Sequence, residues 1–148
     1  MLSTHPPASY ARSLAAPSRD ARAASRSILR ALTILTGSLR RSPETHEVAA
    51  ALGVTEAEYG ATLGRIGSAE PPGLELMELG EAELQNAIAR IPPDTQNVLS
   101  LLCQEGCSFD EIGAVLGMTP ARAVALHADA IHRLHAMIVV GRAAAATA

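Results

Sequence analysis

The chain has 148 residues, of which 48% are hydrophobic but only 2% aromatic, and a formal charge of −3. That length supports one ordinary core or two small ones. Ala, Leu, Arg and Glu dominate and no β-branched or aromatic run of strand length occurs, which argues for an all-α chain and against a sandwich or barrel.

Charge is unevenly placed. Residues 1–41 hold seven arginines against Asp20 alone, a net +6, while the remaining 107 residues hold five arginines and fourteen acids, a net −9. The amino-terminal third therefore suits phosphates or an acidic protein, or else forms the solvated face of a helix. No run of about eighteen apolar residues is present to span a membrane, and no charged-then-hydrophobic leader opens the chain. The expected location is cytoplasmic.

In chain order, residues 1–16 read as a flexible lead-in. From about Ser18 to Leu39, Ala21, Ala24, Ile28, Leu32 and Leu35 recur at spacings of three and four. That predicts a helix ending at Gly37 or soon after. The pattern EVAAALGVT, Glu47 to Thr55, follows, and it returns 64 positions later as EIGAVLGMT, Glu111 to Thr119. Each copy predicts a short helix, a glycine that ends it in the left-handed conformation, and a threonine that caps the next helix. In the first copy Ser42-Pro43 is the start signal, Gly53 the turn, and Thr55 with Glu58 a capping box. The predicted helices are about 43–52 and 55–66. With the preceding helix they make a three-helix bundle over 17–66.

Periodicity fails from 67 to 80, where GSAEPPGLELMELG reads as a linker. Helix resumes over about 81–90, breaks at Pro92-Pro93, and returns over about 94–104 with Asp94 as cap and Val98, Leu101 and Leu102 on one face. In the second corner Ser108 and Glu111 have the capping-box form, and Ile112, Val115 and Leu116 make one stripe. Thr119 caps the last and longest helix, from Pro120 to about Val140, with Pro120 at its first position. The second unit spans 81–140, and 141–148 reads as a flexible tail. The fold expected is therefore two small helical bundles, each with a helix-turn-helix, joined by an acidic Pro/Gly linker.

Cys103 and Cys107 lack CxxC spacing and have no further cysteines with which to build a zinc site, so they read as small apolar side chains in a reducing compartment. His132 and His135 share a helix face while His127 lies off it, which favours solvated or phosphate-contacting side chains over a metal site. No cofactor is implied. Neither a nucleophile motif nor a phosphate-binding glycine loop occurs, so an enzyme is the least supported class.

The order of these pieces resembles regions 3 and 4 of the bacterial sigma-70 family, flagellar and sporulation type. YARSL, the Arg-rich helix and SPETHEVAAALGVTEAEYGATL are similar to region 3. IARIPPDTQNVLSL, then SFDEIGAVLGMT and the final RL, resemble region 4. The resemblance implies a transcription initiation factor. Region 4 would place its recognition helix in the major groove of the minus-35 element and bind the β flap of RNA polymerase core, and region 3 would contact duplex upstream of the minus-10 element. It also implies that Thr119, Pro120, Ala121, Arg122, Val124, Ala125, His127 and Arg133, with Arg26 and Arg30, face DNA.

Two departures from the family temper this. Nothing in the sequence corresponds to region 2, so a separate region 2-like protein is an expected partner. Base-edge reading needs polar side chains near the start of the recognition helix, yet of Pro120, Ala121, Arg122, Val124 and Ala125 only Arg122 is polar. Promoter binding by the isolated chain should therefore be weak. A competing expectation is a protein-interaction module that competes with a full-length sigma factor or sequesters an anti-sigma factor, its apolar helix face suited to a partner helix, an anti-sigma factor or a second copy. A decayed remnant that still folds is the third.

Overall fold

The computed structural model describes residues 19–69 and 80–147. Among them the chain is all-α, with seven helices and no strand: α1 (Arg19–Leu39), α2 (Thr45–Leu52), α3 (Glu56–Ala69), α4 (Glu81–Ile88), α5 (Pro93–Cys103), α6 (Phe109–Leu116) and α7 (Pro120–Thr147). The expected lead-in and most of the expected linker lie outside the described residues.

Both corners form as the repeated pattern dictates. Gly53 and Gly117 adopt φ of 72° and 70°, a conformation costly to any residue with a Cβ. The Val54 amide then reaches back to the Ala49 carbonyl at 3.0 Å, and Met118 to Gly113 at 2.9 Å. Each turn is three residues long. The capping boxes close as well. Thr55 and Glu58 exchange bonds of 2.9 and 3.0 Å, and Ser108 and Glu111 bonds of 2.8 and 3.1 Å.

Other start and stop signals differ from expectation. Helix α1 does end soon after Gly37, at Leu39, and turns through Arg40 at φ 58°. Ser42-Pro43 does not start α2. Its entry is at Glu44, whose amide donates to Glu47 Oε1 at 2.7 Å, because the oxygens of Ser42 and Pro43 are taken by Arg133. Pro93 occupies the first turn of α5, so Asp94 is inside the helix rather than its cap. Helix α7 continues to Thr147, past the expected stop near Val140, with an exposed end from Gly141.

The core departs further from two separate bundles. One cluster joins Ile28 and Leu32 of α1, Val48 of α2, and Tyr59, Leu63 and Ile66 of α3 to Ala125, Ala128 and Ala136 of α7. A second packs Ile91 and Leu99 on Ala130, Leu134 and Met137, and a third packs Val98 and Ile112 on Ala123 and Leu126. Helix α7 belongs to all three, packing against α1 and α3 as well as α5 and α6. The physical cause is its alanines, which let neighbouring helices approach on every side. Helix α7 also has the length and composition of a membrane span, but most of it is buried inside the protein, as befits a core helix. Val115, expected in the α6 stripe, is 64% exposed, and Ile112 carries that face.

Candidate nucleic-acid interface

The second corner presents the amino terminus of α7. Thr119 Oγ1 accepts from the Arg122 amide at 3.1 Å, so the threonine caps the helix as expected. Thr119, Pro120, Ala121 and Arg122 are exposed around this first turn. A helix amino terminus with an exposed guanidinium beside it favours an anionic partner.

One turn later the surface closes. Ala125 is buried and Val124 half-buried, against the expectation that both face DNA. What covers them is α3. A Cβ added to Gly67 would lie 2.8 Å from both Val124 Cγ1 and the Val124 carbonyl oxygen, and 3.3 Å from Ala128 Cβ. Only glycine permits this approach. The helices diverge toward the corner, leaving an open groove of about 640 Å³ lined by Gly60, Gly64, Arg65, Arg122, Val124 and Ala125 among others.

Arg133, expected at the DNA, is 1% exposed. Its Nε donates to Asp129 Oδ2 at 2.8 Å, and its Nη1 donates to Ser42 Oγ at 2.8 Å and to the Pro43 carbonyl. Asp129 also accepts from Tyr59 Oη at 3.1 Å and from Thr95 Oγ1 at 3.3 Å. The pair thus ties α7 to α3, α5 and the loop before α2. Burial first, then the Asp129 charge, hold the Tyr59 phenol far above its ordinary pKa. Nothing in local sequence marks Arg133 as internal. Its i, i+4 spacing from Asp129 was the available signal, and that spacing is equally common on solvated faces.

The histidines are corrected too. His132 is buried, not solvated. A carbonyl can only accept, so Nδ1 donates to the Ala128 oxygen at 2.7 Å, and Nε2 is hydrogen-bonded with Ser25 Oγ at 2.6 Å. His127 is half-buried with its ring 5.7 Å from that of Phe109, and burial lowers its pKa. A neutral ring packed on phenylalanine has little to offer a phosphate. Among the described residues no group of three His, Cys, Asp or Glu is placed to hold a metal.

Helix α1 supplies the second basic feature. Arg19, Arg22, Arg26 and Arg30 are all exposed, at spacings of three, four and four, opposite the buried Ile28 and Leu32. The stripe is about 16 Å long at 1.5 Å per residue. Elsewhere α4, α5 and α7 enclose an open groove of about 600 Å³ whose lining includes Leu84, Ile88, Leu99, Leu102, Ile131 and Leu134.

The chain is 38% identical over 69 residues to RNA polymerase sigma factor FliA of Pseudomonas aeruginosa, a match covering 47% of this chain and 28% of that factor. Over those 69 residues the chain is similar to a flagellar sigma factor. A solved structure, the flagellar sigma/anti-sigma complex Sigma-28/FlgM, matches at a TM-score of 0.42 and 25% identity, covering 82% of this chain and 62% of that one. No family model matches the chain. Among the described residues, the first turn of α7 and the arginine face of α1 are both exposed.

Proposed function

We propose that the chain acts in transcription initiation as a sigma-70-like factor that engages RNA polymerase core and promoter DNA. The α6–α7 corner addresses the minus-35 region and the α1 arginine face addresses duplex upstream of the minus-10 element. The observation that supports this best is the pair of capped helix-turn-helix corners in a chain 38% identical over 69 residues to a flagellar sigma factor. Since Arg122 is the one polar reader in the exposed turn, and a bidentate base contact is worth about 1–3 kcal/mol, selectivity without polymerase is small.

The test is fluorescence anisotropy on a duplex carrying a flagellar-type minus-35 sequence at about 150 mM salt, with and without polymerase core. Polymerase-dependent, sequence-selective binding is the expected outcome. Absence of any retention on core would overturn the assignment.

The apolar groove between α4, α5 and α7 favours a second reading, a module that binds a protein segment such as an anti-sigma factor. Retention of polymerase core or an anti-sigma factor that DNA leaves unchanged, and that Leu84→Asp and Leu102→Asp abolish, would select it.

A further inference from the structure

We propose that α3 is a self-association surface: the groove between α3 and the first turns of α7 receives α3 of a second copy of this chain, packed antiparallel about a two-fold axis. Two glycines that the chain's own packing does not explain are the first observation. Glycine is the poorest helix former after proline, yet the 14-residue α3 contains Gly60, Gly64 and Gly67. Gly67 has its reason in the close approach of α7. Gly60 and Gly64 have none of that kind. Neither has a positive φ; a Cβ added to Gly60 would meet only the tip of the Arg122 side chain, at 4.0 Å, and one added to Gly64 would meet nothing within 4 Å among the described residues. Glycine in such a place leaves room for a backbone from outside the chain.

The groove in front of them, of about 640 Å³, has walls of glycine, alanine and valine and one arginine from each helix, Arg65 and Arg122. Charge decides what fits. Neither arginine has an ion-pair partner among the described residues, so the matching occupant is a helix with small side chains and an acid. Helix α3 is itself such a helix. Ala57, Glu58, Ala61 and Arg65 are all exposed, and the spacings of 58, 61 and 65 keep them on one face. Glu58 and Arg65 are seven residues apart, about 10.5 Å along the axis. A two-fold axis midway between them therefore sets each Glu58 opposite the other copy's Arg65, with Ala61 beside its own equivalent. The interface is isologous, one face serving both copies. Parallel packing would instead set Glu58 on Glu58 and Arg65 on Arg65, so the charges also choose the direction. The inference concerns α3 and does not depend on the promoter assignment.

The experiment is sedimentation velocity on the full chain, without polymerase or DNA, over about 1 µM to 1 mM. The unmodified chain should pass from monomer to dimer within that range, and a monomer throughout overturns the proposal. Arg65→Glu sets two acids against each other across the axis, and Glu58→Arg two bases. Each variant alone should dimerise about tenfold more weakly, whereas an equal mixture should associate as well as the unmodified chain, because every pair is again one acid and one base. A mixture no better than its components overturns the antiparallel pairing. Since Glu58→Arg also removes half of the capping box with Thr55, Gly64→Leu supplies a measurement that leaves the cap intact. Its side chain enters space that is open in the monomer, and leucine is the better helix former. Thermal unfolding in dilute solution should therefore occur no lower than in the unmodified chain, while dimerisation weakens at least about tenfold. Unchanged dimerisation shows that the copies meet elsewhere, and a clear loss of stability in dilute solution shows that the groove is filled within the chain; either result overturns the proposal.

Discussion

Asp129→Ala is the most demanding perturbation of the fold. It removes the acceptor of three side chains, Tyr59, Thr95 and Arg133, and strands a guanidinium whose side chain is 0% exposed. Breaking a buried ion pair from one side costs about 3–5 kcal/mol. A domain of ordinary stability has about 5–15 kcal/mol in all, so the loss is a large fraction of the total. With a urea slope of about 1–3 kcal/mol per molar, the midpoint should fall by at least about 1 M. Removing both charges together, as Asp129→Leu with Arg133→Met, should recover most of that loss, because no uncompensated charge remains. Equilibrium urea unfolding followed by circular dichroism on Asp129→Leu, Arg133→Met and the double closes the cycle. A single-variant cost below about 1 kcal/mol, or a double variant as unstable as the singles combined, would show that the pair is not buried as described.

Other consequences are equally direct. Arg22→Ala, Arg26→Ala and Arg30→Ala together should weaken binding to any duplex and flatten the slope of log K against log salt by about 2.7, at about 0.9 per phosphate contact; an unchanged slope would remove α1 from the interface. Gly113→Ala places a Cβ 2.5 Å from the Met118 carbonyl oxygen; it should destabilise the second corner by about 1–3 kcal/mol in thermal unfolding, even though the first corner holds Ala49 at the equivalent place. Glu47 is held at about 2, chiefly by its bond to Arg41, and Glu58 and Glu111 are lowered by the amides of Thr55 and Ser108. Folded values below the unfolded ones mean that these contributions are complete above about pH 4.3 and drain away as pH falls through the folded values; Glu47→Gln and Glu111→Gln should flatten the acid limb of the urea midpoint. Tyr59 shifts the other way, so its contribution is present below about pH 10 and lost above it, and Tyr59→Phe should reduce the alkaline fall.

What the sequence could and could not disclose follows from the range of the forces involved. Both corners were legible because every bond that builds them spans three to six residues: the Thr55–Glu58 and Ser108–Glu111 boxes, the glycines at 53 and 117, and the Thr119 cap. The interior of α7 was not, because alanine is compatible with solvent, core and close helix contact alike. Ala125 reads as an exposed reader position in one frame and as core in another, and only the approach of Gly67 on a distant helix decides between them. Charge misleads for the same reason. Arg133 and His132 belong to residue types normally placed at the surface, yet their partners, Ser42, Pro43 and Ser25, lie 91, 90 and 107 residues away and cannot be inferred from local spacing. These long-range ties are the same ones that join the amino-terminal helices to α7. The residues hardest to place from sequence are therefore the ones that join the two halves of the fold, and an arginine expected at the DNA lies in that junction instead.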